Sequence, residues 1–171
     1  MSSPFALWIT GPPASGKSSI TAALVKELRK RELDPAVLGS DLFRNYFQPQ
    51  APAAEEQRLR FYQGMIEIAA LLVERGVPVL LDATGSRRAY RAAARERLHP
   101  FAEVFIDCPL EVCMARDKSG AYRKGPSDYE PPAHPDLHVK AGEVDPADAA
   151  KTIMDFLIVS GWIPARKAYR V

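Results

Sequence analysis

The sequence predicts an α/β fold, three layers deep, with a mainly parallel central sheet between two layers of helices. Three observations predict it. Several strand-length runs are apolar throughout rather than alternating, the pattern of strands covered on both faces. Between them lie stretches whose apolar residues recur at helical spacing. The two kinds of segment alternate along the chain, as in βαβ units. The first strand is Phe5-Ala6-Leu7-Trp8-Ile9-Thr10, ended by Gly11-Pro12-Pro13. A helix is expected over 18–31, then a weaker strand at Ala36-Val37-Leu38. Leu59, Tyr62, Ile66, Ala69, Ala70 and Val73 share one face of the next helix, and the third strand occupies 77–82. A basic helix carries Arg87, Arg88, Arg91, Arg95 and Arg97, and a fourth strand spans 101–107. The last helix starts at Asp145-Pro146, with Asp as N-cap and Pro in the first turn, and buries Ala150, Ile153, Met154 and Leu157.

The chain has 171 residues, of which 47% are hydrophobic, enough for one well-buried core, so a single domain over 1–171 is expected. Its 23 Lys plus Arg against 21 Asp plus Glu leave a formal charge of +2, which gives little attraction to a polyanion; no nucleic-acid partner is expected. The apolar run at 5–9 is too short for a signal peptide or membrane span, so the expectation is a cytoplasmic protein with no membrane partner. Cys108 and Cys113 match neither a zinc pattern nor a disulfide framework and read as buried thiols. Trp8 and Trp162 read as packing residues, and His99, His134 and His138 show no metal spacing. The tail from 161 to 171 either packs on the domain or joins a homodimer.

Residues 117–136 hold Gly120, Gly125, Pro126, Pro131, Pro132 and Pro135, which exclude a regular helix or central strand. A loop this long is expected to be a lid, the alternative being a plain connector. Its start carries Arg116, Lys118, Arg123 and Lys124, a basic set suited to closing over phosphates.

Gly11-Pro12-Pro13-Ala14-Ser15-Gly16-Lys17-Ser18 fits G-x-x-x-x-G-K-[ST], and it lies between a buried strand and a helix. Here the glycines let successive N–H groups turn inward onto phosphate oxygens, and the helix directs its positive end at them. The loop and the following Ser19 are therefore expected to bind ATP, with Lys17 on the β- and γ-phosphates and the Ser18 hydroxyl on Mg²⁺. The motif does not separate a kinase from another nucleotidase. A small kinase needs an acceptor site and a water-excluding lid, which the loop at 117–136 supplies, and no guanine-reading N-K-x-D motif is present.

Beyond this motif the residues resemble the adenylyl-sulfate kinases, P-loop enzymes that phosphorylate the ribose 3′-hydroxyl of adenosine 5′-phosphosulfate. The likeness runs nearly end to end. It is carried by Glu103-Val104-Phe105-Ile106-Asp107-Cys108-Pro109-Leu110-Glu111-Val112-Cys113, by Arg116-Asp117 and Gly120-Ala121-Tyr122-Arg123-Lys124, and by Tyr129-Glu130-Pro131-Pro132. Gly39-Ser40-Asp41-Leu42-Phe43-Arg44 stands where the family reads D-G-D-N-x-R, so Asp41 and Arg44 match. The resemblance implies Asp41 as acceptor-side base or holder of a magnesium-bound water, and Arg44 and Arg58 as arginines on a small anionic acceptor. Asp41 could instead cap the next short helix, and Arg58 could instead lie on a solvated face. Asp82, ending the third strand, is expected to orient a magnesium-bound water or to cap the next helix.

Departures from the family cluster at the acceptor. Phe61 replaces a family Asn and cannot replace its hydrogen bonds. Thr84-Gly85-Ser86 stands for the family's I-S-P, so Thr84 is placed with the acceptor residues. The lid lacks the family's middle portion with its adenine-stacking aromatic, because Gly125-Pro126-Ser127-Asp128-Tyr129 closes it early. Ser119 replaces the lid lysine, with Lys118 beside it as an alternative. Asp82-Ala83-Thr84-Gly85, with Arg88 and Arg91, is also similar to P-loop kinases acting on polynucleotide ends, sugars or antibiotics. The basic helix is expected to be a solvated face with one or two anion contacts. The resulting expectation is an ATP-dependent kinase for adenosine 5′-phosphosulfate. Its alternatives are another hydroxyl acceptor, or a nucleotide-binding protein without efficient transfer.

Overall fold

A computed structural model describes residues 3–47, 54–142 and 144–165. The elements in chain order are β1 (Ala6–Thr10), α1 (Lys17–Arg29), β2 (Ala36–Gly39), α2 (Ser40–Phe47), α3 (Glu55–Glu74) and β3 (Val79–Asp82), followed by α4 (Arg88–Arg97), β4 (Phe101–Asp107), α5 (Leu110–Arg116), β5 (Leu137–Lys140) and α6 (Pro146–Val159). The sheet order is β2-β3-β1-β4-β5, every pair parallel.

Both faces of the sheet are covered, which is why its central strands read as continuous apolar runs. Along β1, Leu7 and Ile9 point into one core with Ile20, Leu24 and Leu28 of α1 and Ile153 and Leu157 of α6. Ala6 and Trp8 point into the other, with Met65, Ile66 and Ala69 of α3 and Tyr90 and Ala94 of α4. Trp8 is fully buried and donates its indole N–H to the Ala83 carbonyl at 2.9 Å, so the core pins the loop that follows β3. Asp145 caps α6 by accepting the Ala147 N–H at 2.7 Å, with Pro146 in the first turn, as expected.

The edge strand β5 begins directly after the expected lid, in a stretch for which the sequence reading proposed no strand. It is four residues long, Leu-His-Val-Lys, and buries only Val139 deeply, so its signal is that of a short half-covered edge. Up to Ala165 the tail packs on the domain: Trp162 stacks on Phe5, and its carbonyl accepts the Ser3 N–H. The remainder of the tail lies outside the described residues. Among the described residues no helix is long and apolar enough to cross a membrane.

The strand register positions the site. Ile9 and Gly39 are both level with Asp82, and Thr10 is level with Phe105. The segments leaving β1, β2 and β3 therefore emerge side by side at the carboxyl edge of the sheet, where open α/β sheets bind ligands.

Candidate active site

The loop after β1 is shaped by close approach and by positive φ. A Cβ on Gly11 would stand 2.6 Å from the Ile106 carbonyl oxygen, so only glycine fits there. Ala14 (φ 59°) and Gly16 (φ 96°) turn the backbone left-handed before α1 begins. No side chain caps α1, which leaves its first-turn amides facing the loop's concave side. The Ser15 hydroxyl is buried there with no hydrogen-bond partner among the described residues. Lys17 is buried and donates to the carbonyls of Gly11 (3.0 Å) and Pro12 (2.9 Å). Burial lowers its pKa to about 8, against the pull of Asp82 and Asp41, which favours the charged form.

Asp82 and Ser18 meet across the gap between β3 and α1. Burial raises the Asp82 pKa, while the Ser18 hydroxyl bonded to it and the nearby Lys17 hold it down. These two oxygens fit Mg²⁺, which binds through one or two protein oxygens plus substrate phosphates and keeps several waters. Among the described residues no three His, Cys, Asp or Glu side chains gather as a closed metal cage.

A cleft of about 910 Å³ opens from this point. Its near end is lined by Pro13, Ala14, Gly16, Lys17, Ser18 and Ser19. Gly11, Pro12 and Ser15 form the loop behind them. Asp41, Arg44, Arg58, Asp82, Thr84 and Arg116 also reach the cleft, so the structure gathers the expected residues from five separate segments. Asp41 lies inside the first turn of α2, which begins at Ser40. Arg123 and Lys124 do not line the cleft. The lid turn through Gly120 (φ 81°) sends Tyr122 inward, where its hydroxyl donates to the Pro13 carbonyl at 2.8 Å, and leaves 123 and 124 exposed. Lys118 and Ser119 both face the cleft.

Several lining residues escaped the sequence reading: Ser40, Tyr62, Ser86, Asp117 and Asp128. Tyr62 carried only a core signal, and it does pack on Trp8 and Tyr90 while its edge meets the cleft. Phe61 lies edge-on to Tyr62, and the Arg44 guanidinium sits 5.8 Å above its ring, so at this wall a cation–π contact stands in place of amide hydrogen bonding. Asp117 is the knot of the lid's opening turn, accepting from the backbone N–H of Ser119 (2.9 Å), Gly120 (3.1 Å) and Tyr122 (3.1 Å). Cys108 and Cys113 are buried beside Tyr122 and Ala14, and burial pushes the Cys113 thiol up to about 11, as suits packing residues. The Arg116 guanidinium stands 3.9 Å from the Cys108 sulfur, at the rim of the phosphate loop.

The second half of the lid is fastened to α4, which corrects the expectation of a solvated basic face. Arg91 is 2% exposed. It donates to the Glu103 carboxylate, to the Gly85 carbonyl and to the Glu130 carbonyl (2.6 Å), and its guanidinium lies over the Tyr129 ring. Arg88 holds Glu130 and Pro131, and Arg95 holds Asp136, whose carboxylate also accepts the Glu103 N–H at 2.7 Å. Tyr129 stacks on Phe105, and its hydroxyl bonds that of Thr10, which donates to the Thr84 carbonyl at 2.6 Å. The lid's return limb is thus part of the cleft wall rather than a slack connector.

Residues 3–140 match the family described as Adenylylsulphate kinase. The chain is 31% identical over 168 residues to the adenylyl-sulfate kinase of Synechococcus sp., covering 92% of this chain and 96% of that one. It is 34% identical over 171 residues to the bifunctional enzyme CysN/CysC of Xylella fastidiosa, where the match spans 92% of this chain and 27% of that much longer protein. Among solved structures, the APS kinase CysC of Mycobacterium tuberculosis in complex with AMPPNP and APS is similar at 28% identity and a TM-score of 0.82, covering 92% of this chain and 99% of that one.

Proposed function

This chain belongs to the adenylylsulphate kinase family, and on that premise we propose that it transfers the γ-phosphoryl of ATP to the 3′-hydroxyl of adenosine 5′-phosphosulfate. The observation that carries the reading is the juxtaposition of Lys17, Ser18 and Asp82 with Asp41, Arg44 and Arg58 in one cleft. The amides of 11–18 cradle the triphosphate, and Lys17 leaves its loop carbonyls to offset charge on the transferred group. Ser18 and Asp82 would hold Mg²⁺, which would supply neutralisation of the charge that develops during transfer. Asp41 takes the proton of the acceptor hydroxyl, and Arg44 and Arg58 orient the acceptor's anionic group. Arg116 and Lys118 close the donor side against water. The whole chain acts as one kinase domain.

The test is ADP release from ATP and Mg²⁺ with and without adenosine 5′-phosphosulfate, with the product identified by mass. Acceptor-dependent release and a 3′-phosphorylated product are expected. A second reading keeps the chemistry and changes the acceptor to a sugar, an antibiotic or another nucleotide-like molecule. It is favoured by Phe61 and by a lid that closes at Asp128 without a stacking aromatic. Release stimulated only by such an acceptor would select it.

A further inference from the structure

The far end of the cleft holds charges that the transfer chemistry does not use. Asp128 stands on the lid just before the anchored Tyr129, and its Oδ2 lies 3.6 Å from Arg58 Nη1 and 3.4 Å from Arg87 Nη2. Glu55 takes the other side of Arg58 at 3.0 Å. The guanidinium positioned for an incoming anion therefore already faces two carboxylates. Its Nε is buried with no hydrogen-bond partner among the described residues. Arg44, the other cation of this wall, is drawn over the Phe61 ring. Positive charge is balanced within the wall instead of being presented to the acceptor.

We propose that Asp128 is a specificity-determining residue: a lid-borne counter-ion that an anionic acceptor must displace from Arg58 in order to bind. The inference rests on Arg58 being the acceptor's anion subsite, as read above. Both partners are partly exposed, 34% for the Arg58 side chain and 53% for Asp128, so the pair is weak and displaceable. The carboxylate stays on the lid after displacement and repels the same anion, so its effect exceeds the loss of one contact. Acceptors are thereby selected by charge as well as by shape, because an anion binds at Arg58 only by displacing Asp128.

The experiment is calorimetric titration of adenosine 5′-phosphosulfate into protein saturated with ADP and Mg²⁺. It compares the parent, Asp128→Asn, Arg58→Gln, the double variant, and Asp148→Asn, which removes one negative charge on α6 away from the cleft. Asp128→Asn is expected to tighten acceptor binding about three- to tenfold, and Asp148→Asn to match the parent. The gain is expected to shrink when Arg58 is already Gln, leaving only the direct repulsion between Asp128 and the anion, whereas a merely structural effect on the lid would be the same in both backgrounds. Equal affinity of parent and Asp128→Asn, including no measurable binding to either, overturns the proposal, and so does weaker binding to Asp128→Asn. Tighter binding here, together with no 3′-phosphorylated product when ATP replaces ADP in a turnover assay, would uphold the counter-ion and remove the transfer reading.

Discussion

Lys17 is held in a place where its charge is costly until a phosphate arrives. Its pKa of about 8 lies below the ordinary 10.5, so between these values the unfolded chain keeps a proton that the folded chain has lost. Stability from this group therefore rises with pH through that window, and below about pH 8 the buried cation destabilises the fold. Lys17→Met is expected to raise the melting temperature at pH 7 by a few degrees, equivalent to about 1–2 kcal/mol, while abolishing transfer. Thermal unfolding beside an ADP-release assay checks both. The same residue predicts that kcat/KM for ATP falls above about pH 8, because the free enzyme must hold the Lys17 proton to receive phosphate. A profile flat to pH 9.5 would remove protonated Lys17 from that role. Asp82, raised by burial, adds a fall on the acid side as its carboxylate takes a proton. Lys17 was legible from motif spacing alone; its altered proton affinity was not, since it comes from burial beneath the loop.

Helix α4 shows how an element can be placed from sequence while its role is missed. Its arginines recur at both i+3 and i+4, so by composition they read as a solvated stripe. Yet Arg87, Arg88, Arg91 and Arg95 each engage the returning lid, some forty residues further along the chain. Arg91 and Glu103 form the buried centre of this clamp. Arg91→Met leaves the Glu103 carboxylate buried without its main partner, and a loss of about 3–5 kcal/mol is expected. Replacing both, Arg91→Met with Glu103→Leu, is expected to recover most of it, because a packed apolar pair avoids the desolvation of two charges. Urea denaturation of the two single variants and the double variant measures the coupling, and additive losses would show that the pair is not coupled. Edge strand β5 was missed for a related reason: four residues with one deeply buried side chain carry too little periodicity to stand out from a loop.

At the scale of the molecule, the sheet order brings together chain segments that are far apart in sequence. Because β1, β2 and β3 end level with one another, the phosphate loop, Asp41 and Asp82 share one rim, and the lid spans from α5 back to α4 above it. Ligand binding should therefore stabilise the whole fold rather than one loop. With ATP and Mg²⁺ at a hundredfold excess over Kd, linkage predicts about 2.7 kcal/mol, or a rise of roughly 5–10 °C in melting temperature. Ser18→Ala is expected to lose most of the magnesium-dependent part of that rise. A shift unaffected by magnesium in the parent would argue against the Ser18 and Asp82 pair as its holder.

The sequence by itself determined most of the strand and helix succession, β5 excepted, and the phosphate loop, because these rest on local spacing: apolar runs, helical periodicity and a motif of eight residues; the family was legible through strings that resemble it. It also located the departures at Phe61, Thr84 and the shortened lid. Only the tertiary structure decided how those departures meet. Arg58 lies between Glu55 and Asp128, Arg44 over Phe61, and Arg91 under Tyr129, through contacts across up to seventy residues of sequence. Such pairings depend on the register of the sheet and on where the lid lands. Charge balance at a site is a property of distances in space, which residue spacing along the chain does not encode.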